Sequence, residues 1–336
     1  MEEKRWGPTR LISKEQVQRC VDMSDAITVV EQVLHGQAQG RVAMPAKVTM
    51  DLAEFGLKAW NTAMPAYIEP LNASGFKWVG GFADNRERHG LPFLIATILV
   101  QDVQTGYPLA LMEGTHITNL RTGALNALAV RHYAPVDADS LALIGTGVQA
   151  RFALDGILRE INLREVRGYD LQPDAARRFA DEVERSHGIH VRVCSDAEEA
   201  VRGAKIVITA TPSIVPIVRR EWMGPGVTAI SVGSQGQEFD DEAVLGADKL
   251  ICDSWEQCTH LGELREFAED GRLSREDVFA EICETVDGRK PGRESDDEYI
   301  LVVPIGLGSL DIGLARFVYD RVVTREETAT FRFFES

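Results

Sequence analysis

The stretch SLALIGTGVQA, residues 140–150, constrains the fold of this 336-residue chain more than any other feature. Its apolar first half is typical of a buried strand, and a helix is expected to begin after the glycines. Gly145 permits a tight turn, and Gly147 lets the backbone approach a pyrophosphate at the helix amino end. Ala150 takes the third position of the GxGxxG/A fingerprint. The cofactor contacts predicted in this Rossmann turn are Gly145, Gly147, Val148 and Gln149.

An acidic residue ends the next predicted strand, where the same fingerprint places one. Asp170 closes the run VRGYD, 25 residues after Gly145. A carboxylate there accepts hydrogen bonds from the adenosine ribose and would repel the extra phosphate of NADP. Leu171, Gln172 and Pro173 follow it, so no arginine is at hand for that phosphate. The pattern predicts NAD as the cofactor, unless Asp170 only caps a turn.

Strands and helices alternate on both sides of this motif. Apolar runs at residues 141–144, 166–169, 191–193, 206–210, 227–232 and 249–252 are predicted strands. Helices are predicted at 148–161 and 173–186, and Ser195 with Glu198 is predicted to cap a third. This alternation indicates an α/β fold with a parallel sheet covered by helices.

Two loops after predicted strands add to the cofactor site. Thr211 follows the strand at 206–210, and Val232 and Ser234 follow the strand at 227–232. Parallel sheets of this type bind ligands at the carboxyl ends of their strands. Thr211, Val232 and Ser234 are therefore predicted cofactor contacts, although either loop could be an ordinary turn.

The chain before residue 114 has a different pattern. Ser13 with Gln16 indicates a capping box, and a helix is predicted at residues 24–39. Short β-type runs at 46–50, 76–81, 94–100 and 108–112, with a turn at Gly75, indicate an antiparallel region. A final amphipathic helix at 309–323 is expected to pack back on it. The predicted division is a substrate and dimerisation domain at 1–134 with 304–336, and a Rossmann NAD-binding domain at 135–303.

Composition narrows the class of partner. The 36 basic and 52 acidic residues give a net charge of −16, which argues against nucleic acid or an anionic membrane. Five cysteines without CxxC spacing indicate neither a disulfide framework nor a metal site. No apolar stretch is long enough to span a membrane, and no signal-peptide core is present. We expect a cytoplasmic protein that binds a small molecule.

Basic residues among apolar ones mark a candidate substrate site. Lys77 lies in the apolar strand GFKWVGGF, Lys47 follows Met44–Pro45–Ala46, and Arg121 lies in the first turns of a predicted helix. A buried ammonium is costly without a partner, and a substrate carboxylate would serve as one. The alternatives are pairing with an acidic residue or extension to the surface, and for Lys47 these are favoured.

Several separated motifs resemble the ornithine cyclodeaminase/μ-crystallin family. They are MPAKVTM, FKWVGGFADNRERHGLP, TGYPLALMEGTHITNLRTGALNALA and ALIGTGVQA, and they occur in the family's order. The resemblance covers nearly the whole chain, including the ATPS loop at 210–213 and the final helix. It implies a Rossmann domain joined to an α/β domain that dimerises through its sheet, and hence a homodimer.

The resemblance also implies roles for single residues. Lys77 is expected to meet the substrate and relay a proton, and Arg121 to lie near both cofactor and substrate. Lys47 is expected to hold the substrate carboxylate, at a position where the cyclodeaminases usually have arginine. Asp311, in GSLDIGLA, matches a recurring acid at the start of the last helix. Asp311 and Lys77 are the catalytic candidates, and either could handle the proton. The alternative role of Asp311 is helix capping.

One departure from the family's pattern affects the expected reaction. Where the cyclodeaminases carry a catalytic aspartate, this chain has Ser234 or Gln235, while Asp240 and Asp241 come later and are expected to start a helix. Without that acid, NAD(H)-dependent reduction of a small imino acid, or of a 2-oxo acid with an amine, fits better. An ornithine cyclodeaminase-type ammonia lyase and a non-catalytic μ-crystallin-like binding protein are the alternatives.

Overall fold

Two eight-stranded sheets organise the chain in the computed structural model, which describes residues 7–325 and 327–334. The first unit comprises the residues up to Arg121 and from Leu307 onward, and the second unit is Thr122–Gly306. The predicted division at residues 134 and 304 differs from this one, because the helix Thr115–Tyr133 crosses from the first unit into the second.

The strands, numbered along the chain, are β1 (Thr9–Ile12), β2 (Val42–Ala43), β3 (Val48–Asp51), β4 (Ala59–Ile68), β5 (Ala73–Phe82), β6 (Leu94–Gln101), β7 (Pro108–Glu113), β8 (Ser140–Ile144), β9 (Glu165–Tyr169), β10 (Val191–Val193), β11 (Ile206–Thr209), β12 (Thr228–Ser231), β13 (Lys249–Cys252), β14 (Ala280–Glu281), β15 (Ile300–Val303) and β16 (Ala329–Phe331). The α-helices are α1 (Lys14–Cys20), α2 (Met23–Ala38), α3 (Thr115–Tyr133), α4 (Val148–Ile157), α5 (Pro173–His187), α6 (Ala197–Val201), α7 (Asp241–Leu245), α8 (Trp255–Cys258), α9 (Arg265–Glu269), α10 (Ile282–Val286) and α11 (Gly308–Arg325).

The sheet of the first unit has the order β16-β1-β7-β6-β5-β4-β2, with β3 also pairing with β4. All of its pairs are antiparallel except β1 with β7. One face packs against α11, and α11 in turn packs against α2. The antiparallel region is therefore confirmed.

The longest strand pairing in this unit was not predicted. β4 pairs with β5 over ten residues, yet Pro65 within it argues against a strand, because proline cannot donate to a ladder. On its other edge β4 pairs with β2 at Tyr67 and Ile68, and with β3 only up to Ala63. Pro65 lies between these two pairings, where no neighbouring strand requires its N–H.

Gly75 was predicted to lie in a turn, and this was wrong. The residue is the third of β5, paired with both Ala66 and Val100. A Cβ there would overlap the carbonyl oxygen of Leu99. Close approach of two strands, and not a turn, accounts for the glycine.

The last helix packs in the first unit, as predicted, but only its second half is amphipathic. The segment from Gly308 to Ala315 is buried on all sides against β4, β5 and α2. Asp311 lies within this segment and is fully buried. The start of α11 is thus an interior element, which places a carboxylate in the core of the unit.

The sheet of the second unit is parallel throughout, in the order β10-β9-β8-β11-β12-β15-β13-β14. Its first five strands follow the order 3-2-1-4-5 of doubly wound dinucleotide-binding sheets. The sixth place is taken by β15, the last strand of this sheet along the chain, with β13 and β14 beyond it. β8, β11, β12 and β15 are buried at every position, as expected for strands covered on both faces. The predicted fold class is confirmed.

Two predicted helix caps had different outcomes. Ser13 and Gln16 form the predicted capping box of α1. Ser195 is not the N-cap of α6: Asp196 is, with its carboxylate accepting from the backbone N–H of Glu199 at 2.8 Å. The Ser195 hydroxyl instead donates to the Glu199 side chain at 2.9 Å. Two adjacent cap-forming residues left the register ambiguous by one position.

Two further features of the chain are the hydropathy of its helices and the state of its cysteines. Over the described ranges, no helix combines the length and apolar character that crossing a bilayer requires. All five cysteines are buried free thiols.

Candidate active site

The turn between β8 and α4 has the geometry that its sequence predicts. Gly145 has φ +88°, in the left-handed region, and a Cβ there would lie 2.7 Å from Ala210 O and from Thr211 Cγ2. A Cβ on Gly147 would meet no described atom within 4 Å. Glycine at 145 is required by the backbone itself. Glycine at 147 instead leaves the backbone open to close approach from one side.

The amino end of α4 is suited to an anion. No side chain among the described residues caps the helix at Gly147, so its first N–H groups are the donors that phosphate oxygens accept from. Val148 is exposed and Gln149 half-buried at this end. Ala150 is fully buried, which allows close packing of the helix on the sheet.

Asp170 lies half-buried at the end of β9, beside the same turn. Its Oδ2 accepts from the backbone N–H and the hydroxyl of Thr146, both at 2.9 Å, and its Oδ1 accepts from the Gln172 N–H at 2.9 Å. Asp170 therefore does cap its own turn. A carboxylate offers about four acceptor sites, so it can still accept from ribose hydroxyls. The glycine turn, the uncapped helix and this acid together fit a dinucleotide.

The other predicted cofactor contacts lie in two neighbouring loops. Thr211 follows β11, while Val232 and Ser234 follow the adjacent strand β12. The Val232 N–H donates to Thr209 O at 2.9 Å, which ties the start of the loop after β12 to the end of β11. Val232 and Ser234 are half-buried. All three residues lie at the carboxyl edge of the sheet, where this topology binds its ligands.

A buried glutamate, which the sequence did not single out, holds both loops. Glu238 Oε1 accepts from the N–H and the hydroxyl of Thr211, at 2.9 and 2.6 Å. Its Oε2 accepts from the Thr209 hydroxyl at 2.8 Å and from the Gly233 N–H at 3.0 Å. Burial raises the pKa of Glu238, and these hydrogen bonds oppose that effect. The segment QGQEFDD resembles a solvated polar turn, so no local signal marked this residue.

A second buried glutamate holds the segment that carries the first. Glu263 accepts from the backbone N–H groups of Glu238 and Phe239, at 2.8 and 2.9 Å, and from the Ser231 hydroxyl at 2.8 Å. Burial raises the pKa of Glu263 to about 7, with the charge of Glu238 acting in the same direction. The part of the chain that the structure describes gives neither glutamate an ion-pair partner.

In the first unit, Lys77 is buried against an acid distant in sequence. It is 1% exposed, and its Nζ donates to Asp311 Oδ2 at 2.6 Å and to Thr118 Oγ1 at 3.3 Å. The Thr118 hydroxyl donates to the Gly114 carbonyl at 2.7 Å. Extension of Lys77 to the surface is excluded, while pairing with an acidic residue is found.

Arg121 joins the same cluster. It is 8% exposed, and its Nε donates to Asp311 Oδ1 at 3.3 Å. Lys77 and Arg121 thus share one carboxylate, which leaves one positive charge without a counter-charge inside the cluster. Lys47 is half-buried in the loop between β2 and β3. We call Lys77, Thr118, Arg121 and Asp311 the lysine cluster.

Burial and the neighbouring charges shift the pKa values of Lys77 and Asp311. Burial lowers the pKa of Lys77 to about 7; Asp311 opposes this, while the positive charges of Arg121 and Lys47 add to it. Burial raises the pKa of Asp311, but Lys77 and Arg121 outweigh it and leave the pKa below its usual value. Lys77 can therefore exchange a proton near neutral pH while Asp311 stays ionised.

The two acids near the departure from the family's pattern serve local structure. Asp240 is the N-cap of α7, accepting from the Ala243 N–H at 2.9 Å, which confirms the expected helix start. Asp241 accepts from Arg272 Nη1 at 2.6 Å and from Gln237. Ser234, which is half-buried, and Gln235, which is exposed, are the uncharged residues that the sequence comparison sets against the acid of the cyclodeaminases.

A doubly wound dinucleotide-binding unit, joined in one chain to a unit that buries a lysine–aspartate–arginine cluster, defines the class of this protein. The chain belongs to the ornithine cyclodeaminase/mu-crystallin family, whose sequence profile matches residues 9–326.

Three relatives illustrate the similarity. Alanine dehydrogenase of Archaeoglobus fulgidus is 34% identical over 97% of this chain and 99% of its own length. An archaeal alanine dehydrogenase dimer with bound NAD superposes with a TM-score of 0.92, at 34% identity, over 98% of this chain and all of the other. The Δ1-pyrroline-2-carboxylate reductase of Thermococcus litoralis, in complex with NADH and L-proline, gives 0.91 at 31% identity, over 96% and 100%.

Proposed function

We propose that this protein is an NAD(H)-dependent oxidoreductase that reduces a small imino acid, or a 2-oxo acid together with an amine, to an amino acid. The observation that carries the proposal is the lysine cluster, where two buried cations share one anion. The remaining positive charge suits a substrate carboxylate. The relatives named alanine dehydrogenase and Δ1-pyrroline-2-carboxylate reductase support the same substrate class.

NAD is the proposed cofactor, and when bound in reduced form it would supply the hydride. Both solved relatives hold NAD or NADH. The chain's own contribution would be to bind and orient it, with Asp170 excluding the NADP phosphate. The residues proposed to hold it are Arg121, Gly145, Gly147, Val148, Gln149, Asp170, Thr211, Val232 and Ser234.

The lysine cluster would bind the acid and manage the proton. Lys47 and Arg121 would hold the substrate carboxylate, while Lys77 would donate the proton that the imine nitrogen gains. A pKa of about 7 suits Lys77 to this exchange near neutral pH. Asp311 would keep the ammonium of Lys77 oriented, because it accepts from it at 2.6 Å.

The test is the loss of NADH absorbance with a panel of 2-oxo acids, each with and without ammonia or methylamine, and with Δ1-pyrroline-2-carboxylate. NADH consumption that requires both an oxo acid and an amine, or the cyclic imine alone, is the expected result. Ammonia release from ornithine with catalytic NAD and no net NADH change would point to a cyclodeaminase. NADH binding without turnover of any of these compounds would favour the binding-protein alternative.

We also infer that the outer face of the first unit's sheet binds a second copy of the chain. That face carries exposed apolar side chains on five strands, each 38–42% exposed: Leu11, Tyr67, Phe76, Trp78, Ile95 and Leu111. Apolar patches of this kind mark protein interfaces, and the solved archaeal relative is a dimer. Trp78→Glu should give a monomer by light scattering, whereas Val136→Glu, at a fully exposed loop position, should not.

We also propose that the protein is located in the cytoplasm. Five free thiols suit a reducing compartment. Cell fractionation with an antibody to the protein would test it.

A further inference from the structure

Glu238 lies in the loop after β12 and contacts both its own loop and the loop after β11. Its carboxylate accepts from two loops that follow two different strands, at Thr211 and at Gly233. Both loops carry proposed cofactor contacts. A Cβ on Gly233 would overlap Glu238 Oε2, so the loop after β12 lies directly on the carboxylate. The acid is completely buried and so is not available to solvent or to substrate.

We propose that Glu238 is a positioning residue for the nicotinamide half of the cofactor, braced in turn by Glu263. This rests on the proposed NAD(H)-dependent function. Each half of a doubly wound sheet binds one mononucleotide, and the half containing Asp170 takes the adenosine side. The loops after β11 and β12 belong to the other half. Glu238 sets their separation, because each of its two oxygens accepts a backbone N–H from one of them.

The geometry shows why an isosteric amide cannot replace this carboxylate. In a glutamine at this position, one of the two terminal atoms becomes an NH2 group, which cannot accept a hydrogen bond. Whichever way the amide turns, either the Thr211 N–H or the Gly233 N–H loses its acceptor. The threonine hydroxyls can rotate to compensate, but a backbone N–H cannot. One of the two loops must therefore shift.

Among the described residues, Glu263 forms no hydrogen bond to the proposed cofactor residues of the two loops, but supports the backbone of Glu238. It accepts from the N–H groups of Glu238 and Phe239 and shares the Ser231 hydroxyl with Glu238, whose Oε2 lies 3.3 Å from it. It therefore fixes the backbone from which the Glu238 side chain extends. Phe239 is itself fully buried, which anchors the segment in the core.

The experiment compares NADH with ADP, which lacks the second ribose and the nicotinamide, by titration calorimetry. Glu238→Gln is expected to weaken NADH binding about tenfold and to leave ADP binding nearly unchanged, because only the second half of the site shifts. The KM for NADH should rise by a similar factor, while the KM for the oxo or imino acid should not change. Glu298→Gln is the matched control, since Glu298 is in the same unit and pairs with Lys249, away from both loops.

Other outcomes overturn the inference in distinguishable ways. Equal weakening of NADH and ADP would assign Glu238 a purely structural role, and unchanged NADH binding would remove it from the site. Failure of the wild-type protein to bind either ligand would instead overturn the proposed function. If Glu238→Gln does not fold, Thr209→Val removes one donor to the same oxygen, and it should weaken NADH binding about threefold without affecting ADP.

Discussion

The first unit buries Asp311 between two cations, whereas the second unit buries Glu238 and Glu263 among hydrogen-bond donors. Asp311 is fully buried beside Lys77 and Arg121. Glu238 and Glu263 are equally buried, but backbone N–H groups and hydroxyls take the place of cations. Both arrangements offset the cost of burying a carboxylate: the first does so by ion pairing and the second by hydrogen bonding.

The difference indicates what each site can do. The lysine cluster contains two cationic side chains and one carboxylate. Binding of an anionic ligand, or loss of a proton, therefore changes its net charge. The glutamate pair has directed acceptors matched to fixed donors, so it specifies geometry. We therefore assign proton transfer and substrate binding to the lysine cluster, and the positioning of the cofactor loops to Glu238 and Glu263.

The largest expected effect is on catalysis. Lys77→Met should lower kcat/KM about 10³-fold, since it removes the proposed proton donor and carboxylate contact. It should also cost about 3 kcal/mol in unfolding free energy, because Asp311 stays buried with one partner fewer. Lys58→Met, at an exposed position in the same unit, is the control. Steady-state rates near wild type for Lys77→Met would assign the cluster to structure alone.

The two arrangements should respond to pH with opposite sign. Burial raises the pKa of Glu263 from 4.5 to about 7, so the folded state holds more protons in that range and stability falls as pH rises through it. Burial lowers the pKa of Lys77 from 10.5 to about 7, so the unfolded state holds more protons above pH 7 and stability rises there.

Each slope can be removed separately. Glu263→Gln should abolish a change of about 3 kcal/mol between pH 4.5 and 7, and Lys77→Met should flatten the curve between pH 7 and 10. Urea unfolding at a series of pH values measures both. Identical curves for wild type and Glu263→Gln would mean that this carboxyl titrates normally.

A smaller effect is expected at the cofactor acid. Asp170→Ala should raise the KM for NADH about tenfold, because the ribose hydroxyls lose a hydrogen-bond acceptor. It should also reduce the preference for NADH over NADPH, because the carboxylate no longer repels the extra phosphate of NADPH. The KM for the oxo acid should not change, since the lysine cluster is untouched. A preference for NADH that survives the substitution would place cofactor selection elsewhere in the second unit.

The smallest effect tests the corrected helix cap. Asp196→Ala should cost about 1 kcal/mol, because the Glu199 N–H loses its acceptor, and Ser195→Ala should cost less. Thermal unfolding of the two variants side by side gives the comparison. The reverse order would restore Ser195 as the effective cap of α6.

The fold class and the residues of the proposed cofactor site were predictable, because short sequence patterns encode them. The glycine turn, the acid after β9 and the alternation of strands and helices are each contained in short stretches. β4 was missed because Pro65 signals against a strand, and only the pairing of its neighbours shows that the missing N–H has no role.

The charge partnerships were not predictable by the same means. Lys77 and Asp311 were singled out separately, but their contact joins residues 234 positions apart and depends on α11 returning to the first unit. Glu238 and Glu263 carried no signal at all, because an acid in a polar stretch looks solvated until the fold buries it. Burial is a property of tertiary packing, which a local pattern does not report.

The fit between Gly233 and Glu238 has an evolutionary consequence. Any side chain at 233 would collide with the carboxylate beneath it, while a shorter acid at 238 would lose reach to the Thr211 loop. Neither position can change first without loss, so the pair is expected to vary together or not at all among descendants of this sequence. A library randomised at both positions would show this as strong epistasis, with Gly–Glu as an isolated optimum.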